Sequence, residues 1–138
     1  MQPNLEDFIG RWRLERRIDD ARAGQVVRFC GEARFEAGEN GVIYIESGIL
    51  ALPGQGDIRA ERRYLWRKEP QGIAVFFEDG RFFHHISPGE APKAAHYCAP
   101  DQYDVAYDFT HWPCWRAVWQ VFGPKKQYRS ESVYELLA

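Results

Sequence analysis

At 138 residues the chain fits one domain with enough buried surface for a real core. Aromatic residues make up 15% of it and are spread along its length, which excludes an intrinsically disordered chain. A formal net charge of -2, with acidic and basic residues interspersed, excludes the basic footprint of a nucleic-acid binder.

No apolar run reaches the roughly 18 residues that a membrane-spanning helix needs, so no membrane partner is expected. The start, Met1-Gln2-Pro3-Asn4-Leu5-Glu6-Asp7, carries neither a basic nor an apolar leader region, and the expected location is the cytoplasm. Cys30, Cys98 and Cys114 lack metal-type spacing and read as free thiols in a reducing compartment.

Alternation of apolar and polar residues with period 2 recurs from end to end, and helical periodicity is nearly absent. Residues 1–7 form an N-terminal segment, and strands begin near Phe8. Glycine and proline then punctuate the chain at short intervals, from Gly24 and Gly38 through Pro53-Gly54 and Pro88-Gly89 to Gly123-Pro124, leaving about ten strand candidates. No crossover helix intervenes, so consecutive strands pair as hairpins. Closing such a meander removes its edges, which predicts an all-β fold: one antiparallel up-and-down barrel over residues 1–138.

The first strand sets the faces. Arg11, Arg13, Glu15 and Arg17 belong in water, so Trp12, Leu14, Arg16 and Ile18 point inward. Phe29, Gly31, Ala33 and Phe35 face in on the second strand, and the Tyr44–Glu46 face is read as inward on the third. On the fourth, Ala60, Arg62, Tyr64 and Trp66 face in. Asp79-Gly80 suits a two-residue turn that sets Glu78 against Arg81, Phe77 against Phe82 and Val75 against His84. That register sends Phe82 and His84 inward, and Phe76, Phe83 and His85 outward.

Farther on, Tyr103, Val105, Tyr107 and Phe109 form one face of a half-buried strand. Trp115, Ala117, Trp119 and Val121 do the same on the next. A turn at Gly123-Pro124-Lys125-Lys126 pairs Val121 with Tyr128 and Trp119 with Ser130, and it puts Ser132 and Tyr134 inside.

Gly10-x-Trp12 resembles the opening motif of calycins, the lipocalin and fatty-acid-binding superfamily, whose tryptophan closes one end of the barrel. A longer set is similar to an uncharacterised bacterial lipocalin-like family: Tyr44-x-Glu46-x-Gly48, Arg62-x-Tyr64-x-Trp66-Arg67, Asp79-Gly80-Arg81, Phe83-His84, His96-x-Cys98, Tyr107-Asp108-Phe109, Trp112-Pro113 and Gly123-Pro124-Lys125. That resemblance covers nearly the whole chain and implies a fold, not an activity. Two departures from calycins argue against a long-chain lipid. The link from Asp19 to Gln25 is too short for a helical lid, and Arg129 falls outside, away from Trp12.

The inward polar residues define the candidate site: Arg16, Tyr44, Glu46, Arg62, Tyr64, His84, Tyr107, Trp119 and Tyr128. A buried charge must be paired or hydrogen-bonded, and two arginines face one carboxylate. Three explanations fit: a water-filled cavity, an anionic ligand held by an arginine fork, or a self-satisfied charge network. The leading expectation is a binding protein for a small anionic, aromatic or planar molecule, without cofactor and with its oligomeric state open.

Two other readings stand beside it. One is a cofactor-free enzyme acting on a small carboxylic acid, similar in residue types to calycin-like phenolic acid decarboxylases, with Glu46 or His84 moving a proton. The other is a filled barrel acting as an interaction module, with an exposed patch of Phe76, Phe83 and Phe122. His84, His96 and Cys98 are the best available metal donors, but no metal is expected.

Overall fold

The computed structural model describes residues 2–137. A single helical turn, α1 (Leu5–Phe8), precedes ten strands: β1 (Gly10–Asp20), β2 (Gln25–Gly38), β3 (Gly41–Leu52), β4 (Gly56–Glu69), β5 (Gly72–Phe77), β6 (Phe82–Ile86), β7 (Lys93–Cys98), β8 (Asp101–Asp108), β9 (Cys114–Phe122) and β10 (Gln127–Leu136). They form one antiparallel sheet in the order β6-β5-β4-β3-β2-β1-β10-β9-β8-β7. Pairing of β1 with β10 wraps the meander round, so the barrel is closed except for a seam between β6 and β7. Those two strands lie side by side without a hydrogen-bonded register. The all-β barrel expected from the alternation is the fold observed.

Sequence dictates how the two ends differ. Phe8 of α1 is fully buried and packs on Phe35, Trp66, Phe109, Trp112 and Trp115. Trp12 is also fully buried, and its indole N–H donates to the Phe8 carbonyl at 2.9 Å. This aromatic cluster stoppers the end where the chain starts. Arg129 stays outside and pairs with Glu131 at 3.2 Å. At the other end the turns are short, 21–24 between β1 and β2 among them.

Registers follow the alternation closely on most strands. Tyr128 pairs with Val121 and Ser130 with Trp119 across the Gly123-Pro124 turn. Gly31 and Gly48 sit opposite each other where β2 and β3 press together. A Cβ on Gly48 would lie 2.3 Å from the Cys30 carbonyl oxygen, so only glycine fits there.

The β5–β6 hairpin departs from expectation. Gly80 N–H donates to the Phe77 carbonyl at 2.9 Å and Phe77 N–H to the Arg81 carbonyl at 2.8 Å, which makes a three-residue turn with Gly80 at φ +92°. The extra residue sets Phe76 opposite Phe82, and a bulge then restores Val75 opposite His84. Phe82 therefore turns out, 50% exposed, and Phe83 turns in, 5% exposed, the reverse of the two-residue reading. Arg81 pairs with Asp79 at 2.7 Å and not with Glu78.

Candidate functional site

The barrel encloses a cavity of about 360 Å³ between the aromatic stopper and the open end. All nine residues singled out from the sequence, Arg16, Tyr44, Glu46, Arg62, Tyr64, His84, Tyr107, Trp119 and Tyr128, line it. They come from seven strands, β1, β3, β4, β6, β8, β9 and β10, because each strand's inner face meets the same space.

Deep in the cavity Arg16 and Glu46 form a bidentate pair, with N–O distances of 2.7 and 2.9 Å. The Arg16 Nε–H donates to Ser132 Oγ at 2.7 Å. The Tyr44 hydroxyl donates to Glu46 at 2.6 Å, and its oxygen lies 2.8 Å from the Tyr134 hydroxyl. An ionised Glu46 can only accept, so the tyrosine protons run in one direction, from Tyr134 to Tyr44 to Glu46. Burial works against the Glu46 charge, but the hydrogen bonds and charge of Arg16 outweigh it and hold its pKa below the usual value. Burial, with Tyr134 and Glu46 nearby, raises the Tyr44 hydroxyl well above its usual range, so it stays a donor. Of the three explanations for the inward charges, a self-satisfied network describes Arg16 and Glu46.

Arg62 differs. It sits opposite Glu46 in the β3–β4 register but forms no ion pair among the described residues, since Glu46 is taken by Arg16. Its side chain lines the cavity with part of its length exposed; burial works against its charge, and Tyr64 and the more distant Glu46 outweigh that and hold its pKa above the usual value. Arg62 is the one cation lining the cavity that makes no ion pair among the described residues, while His84 Nδ1 and Trp115 Nε1 are buried in the same wall without a hydrogen-bond partner.

Aromatic rings build the wall at the seam. Phe83 stacks on Trp119 with centroids 5.1 Å apart and planes 13° apart, and on Phe77 at 4.4 Å. His96 meets Phe83 edge-on at 5.5 Å from across the gap. His84 is 3% exposed and its Nε2 lies 2.9 Å from the Tyr107 hydroxyl. Burial first, then the neighbouring His96 and His85, push its pKa down to about 3, so the ring is neutral near pH 7.

The sequence reading missed several lining residues. Asp20, Gln25 and Leu52 contribute at the mouth, and Tyr103 and Phe83 at the wall. Asp20 lies on the Arg16 face of β1, and counting two residues beyond Ile18 would have found it. Phe83 was hidden by the bulge, which no residue type announces. Among the described residues no group of three or more His, Cys, Asp or Glu side chains is placed to hold a metal ion, so His84, His96 and Cys98 form no such group. No helix of the described residues is long and apolar enough to cross a membrane.

Comparison with known proteins bears on the fold. The S-type phycobiliprotein lyase CPES from Guillardia theta superposes with a TM-score of 0.69, covering 97% of this chain and 90% of that one at 9% sequence identity. At that identity the likeness is one of fold. No curated protein sequence matches the chain. A family model spanning residues 8–136 does match, so the chain, with its stoppered barrel and its arginine-bearing mouth, belongs to the family of unknown function DUF6314.

Proposed function

We propose that the barrel binds a small planar anionic molecule, with Arg62 holding the anionic end at the mouth and the aromatic wall receiving the body. The observation that carries this reading is the division of labour between the two inward arginines. Arg16 is consumed by Glu46 and Ser132, whereas Arg62 has no carboxylate partner among the described residues. Tyr64, Phe83, Trp119 and Tyr128 offer flat surfaces beside it. A cavity of about 360 Å³ is within the range of small-molecule sites and argues against a solid interaction module.

The structural neighbour is a phycobiliprotein lyase, in keeping with a barrel that handles small molecules. Decarboxylase-type chemistry draws less support. Both Glu46 oxygens already accept hydrogen bonds from Arg16, and one also accepts from Tyr44, which leaves a poor base.

Anilinonaphthalene sulfonate, a planar aromatic anion, is a suitable probe. Its titration should quench the emission of Trp119 in the cavity wall, and Arg62→Ala should abolish most of that response while near-UV circular dichroism stays native. Unchanged binding to Arg62→Ala would remove the arginine from the site.

A further inference from the structure

β4 outruns the strand that follows it. Its pairing with β3 extends from Gly56 to Trp66, whereas β5 covers only Tyr64 to Glu69. Residues 56–63 are thus a free sheet edge, exposed throughout except at Ala60, and among the described residues no backbone group pairs on the side away from β3. A free edge of this length is a template for pairing with another chain.

The charges on this edge form a pattern. Ala60 and Arg62 face the barrel interior, and Asp57, Arg59, Glu61 and Arg63 alternate to the outside, in the order minus, plus, minus, plus. Across the ladder they meet Ala51, Ile49, Ser47 and Ile45 of β3, which carry no charge. The one ion pair they make among the described residues joins Arg63 to Glu61 of the same strand, at 3.2 Å.

Read backwards, minus-plus-minus-plus becomes plus-minus-plus-minus, so the row is complementary to itself in antiparallel register. A two-fold axis through Ala60 sets Asp57 opposite Arg63 and Arg59 opposite Glu61, each pair made twice. Outer faces must stay outer, so the register can slip only by whole pleats. The neighbouring slips set Arg59 against Arg59, or Glu61 against Glu61. On the inner face the favoured register lays Ile58, 46% exposed, along the aliphatic stem of Arg62 in the second copy. An open groove lined by Glu61, Arg63, Phe77 and Asp79 continues this edge and leaves space for the incoming strand.

We infer that the chain forms an isologous dimer through residues 56–63 of β4, giving one sheet that runs on from barrel to barrel. The partner strand lies beside Arg62, so each copy completes the wall next to the other's cavity mouth.

Light scattering coupled to size exclusion tests this on the full chain. Wild type at about 100 µM should elute at twice the 16.1 kDa of one chain. Arg59→Glu sets like charges opposite each other twice and should raise the dissociation constant at least about tenfold. Arg59→Glu combined with Glu61→Arg restores opposite charges and should restore the dimer. Both positions of change are exposed, and tryptophan emission reports that each variant is folded. A wild type that stays monomeric at that concentration overturns the inference. So does a dimer indifferent to Arg59→Glu, or a double variant that fails to reassociate.

Discussion

Replacing Glu46 by leucine strips the carboxylate from a buried pair and leaves the Arg16 guanidinium behind. The two side chains are 5% and 12% exposed, so water cannot take over the solvation. An orphaned charge at such a site costs about 3–5 kcal/mol, and the loss of the Tyr44 acceptor adds about 1 kcal/mol. For a domain whose whole stability is about 5–15 kcal/mol, that lowers the melting temperature by about 10 °C or more. Removing both charges is a different matter. Arg16→Met with Glu46→Leu leaves no buried ion, and the double variant should be more stable than either single one, with a coupling of about 2–3 kcal/mol. Urea unfolding followed by tryptophan emission measures all three. If the two single costs simply add in the double variant, Arg16 and Glu46 do not form the self-satisfied unit described.

Four further outcomes follow from the same structure. His84 has a pKa of about 3 when folded against 6.5 as the reference, so below pH 6.5 the unfolded chain takes up a proton that the folded chain refuses; stability should fall by about 2 kcal/mol by pH 5, and His84→Gln should flatten that loss in urea titrations. Glu46 acts lower: its folded pKa is depressed, so its contribution is complete above about 4.5 and is lost only as pH falls through the folded value, and an acid transition that Glu46→Gln leaves unmoved below pH 4.5 would contradict this. Phe83→Ala should cost about 3 kcal/mol or more and Phe82→Ala under about 1 kcal/mol, and the opposite ranking by thermal melts would restore the two-residue turn. Gly48→Ala, driven against the Cys30 backbone, should cost at least about 2 kcal/mol, whereas Gly38→Ala meets mainly the flexible end of Ile43 and should be mild.

Legibility from sequence tracked how local the deciding interaction was. The four charges of β1 fix which way Trp12, Leu14 and Arg16 point, and that alone places Arg16 in the cavity. The turn at Gly123-Pro124 fixes the β9–β10 register down to the Trp119–Ser130 pair. At Asp79-Gly80 the same reasoning chose the wrong turn, because the dipeptide fits a two-residue loop and a type I turn with a glycine bulge alike. The choice between them rests on whether Phe82 or Phe83 packs against Trp119, a contact between β6 and β9 that no local pattern encodes. In the same way, the sequence brings two arginines and one glutamate indoors, but only the fold decides that Glu46 belongs to Arg16 and leaves Arg62 free. The short N-terminal turn escaped notice because a single turn is too brief to show helical periodicity.

The central claim is that Arg62 makes the cavity mouth an anion site, and a pair of probes differing by one group tests it. Anilinonaphthalene sulfonate and the neutral phenylnaphthylamine share the same rings, so their affinities for the wild-type chain isolate the charge. The sulfonate should bind at least about tenfold more tightly, as a hydrogen-bonded ion at a partly desolvated arginine requires, and Arg62→Ala should erase the difference while leaving the neutral probe unaffected. Equal affinities for the two probes, or a preference that survives Arg62→Ala, would contradict the account.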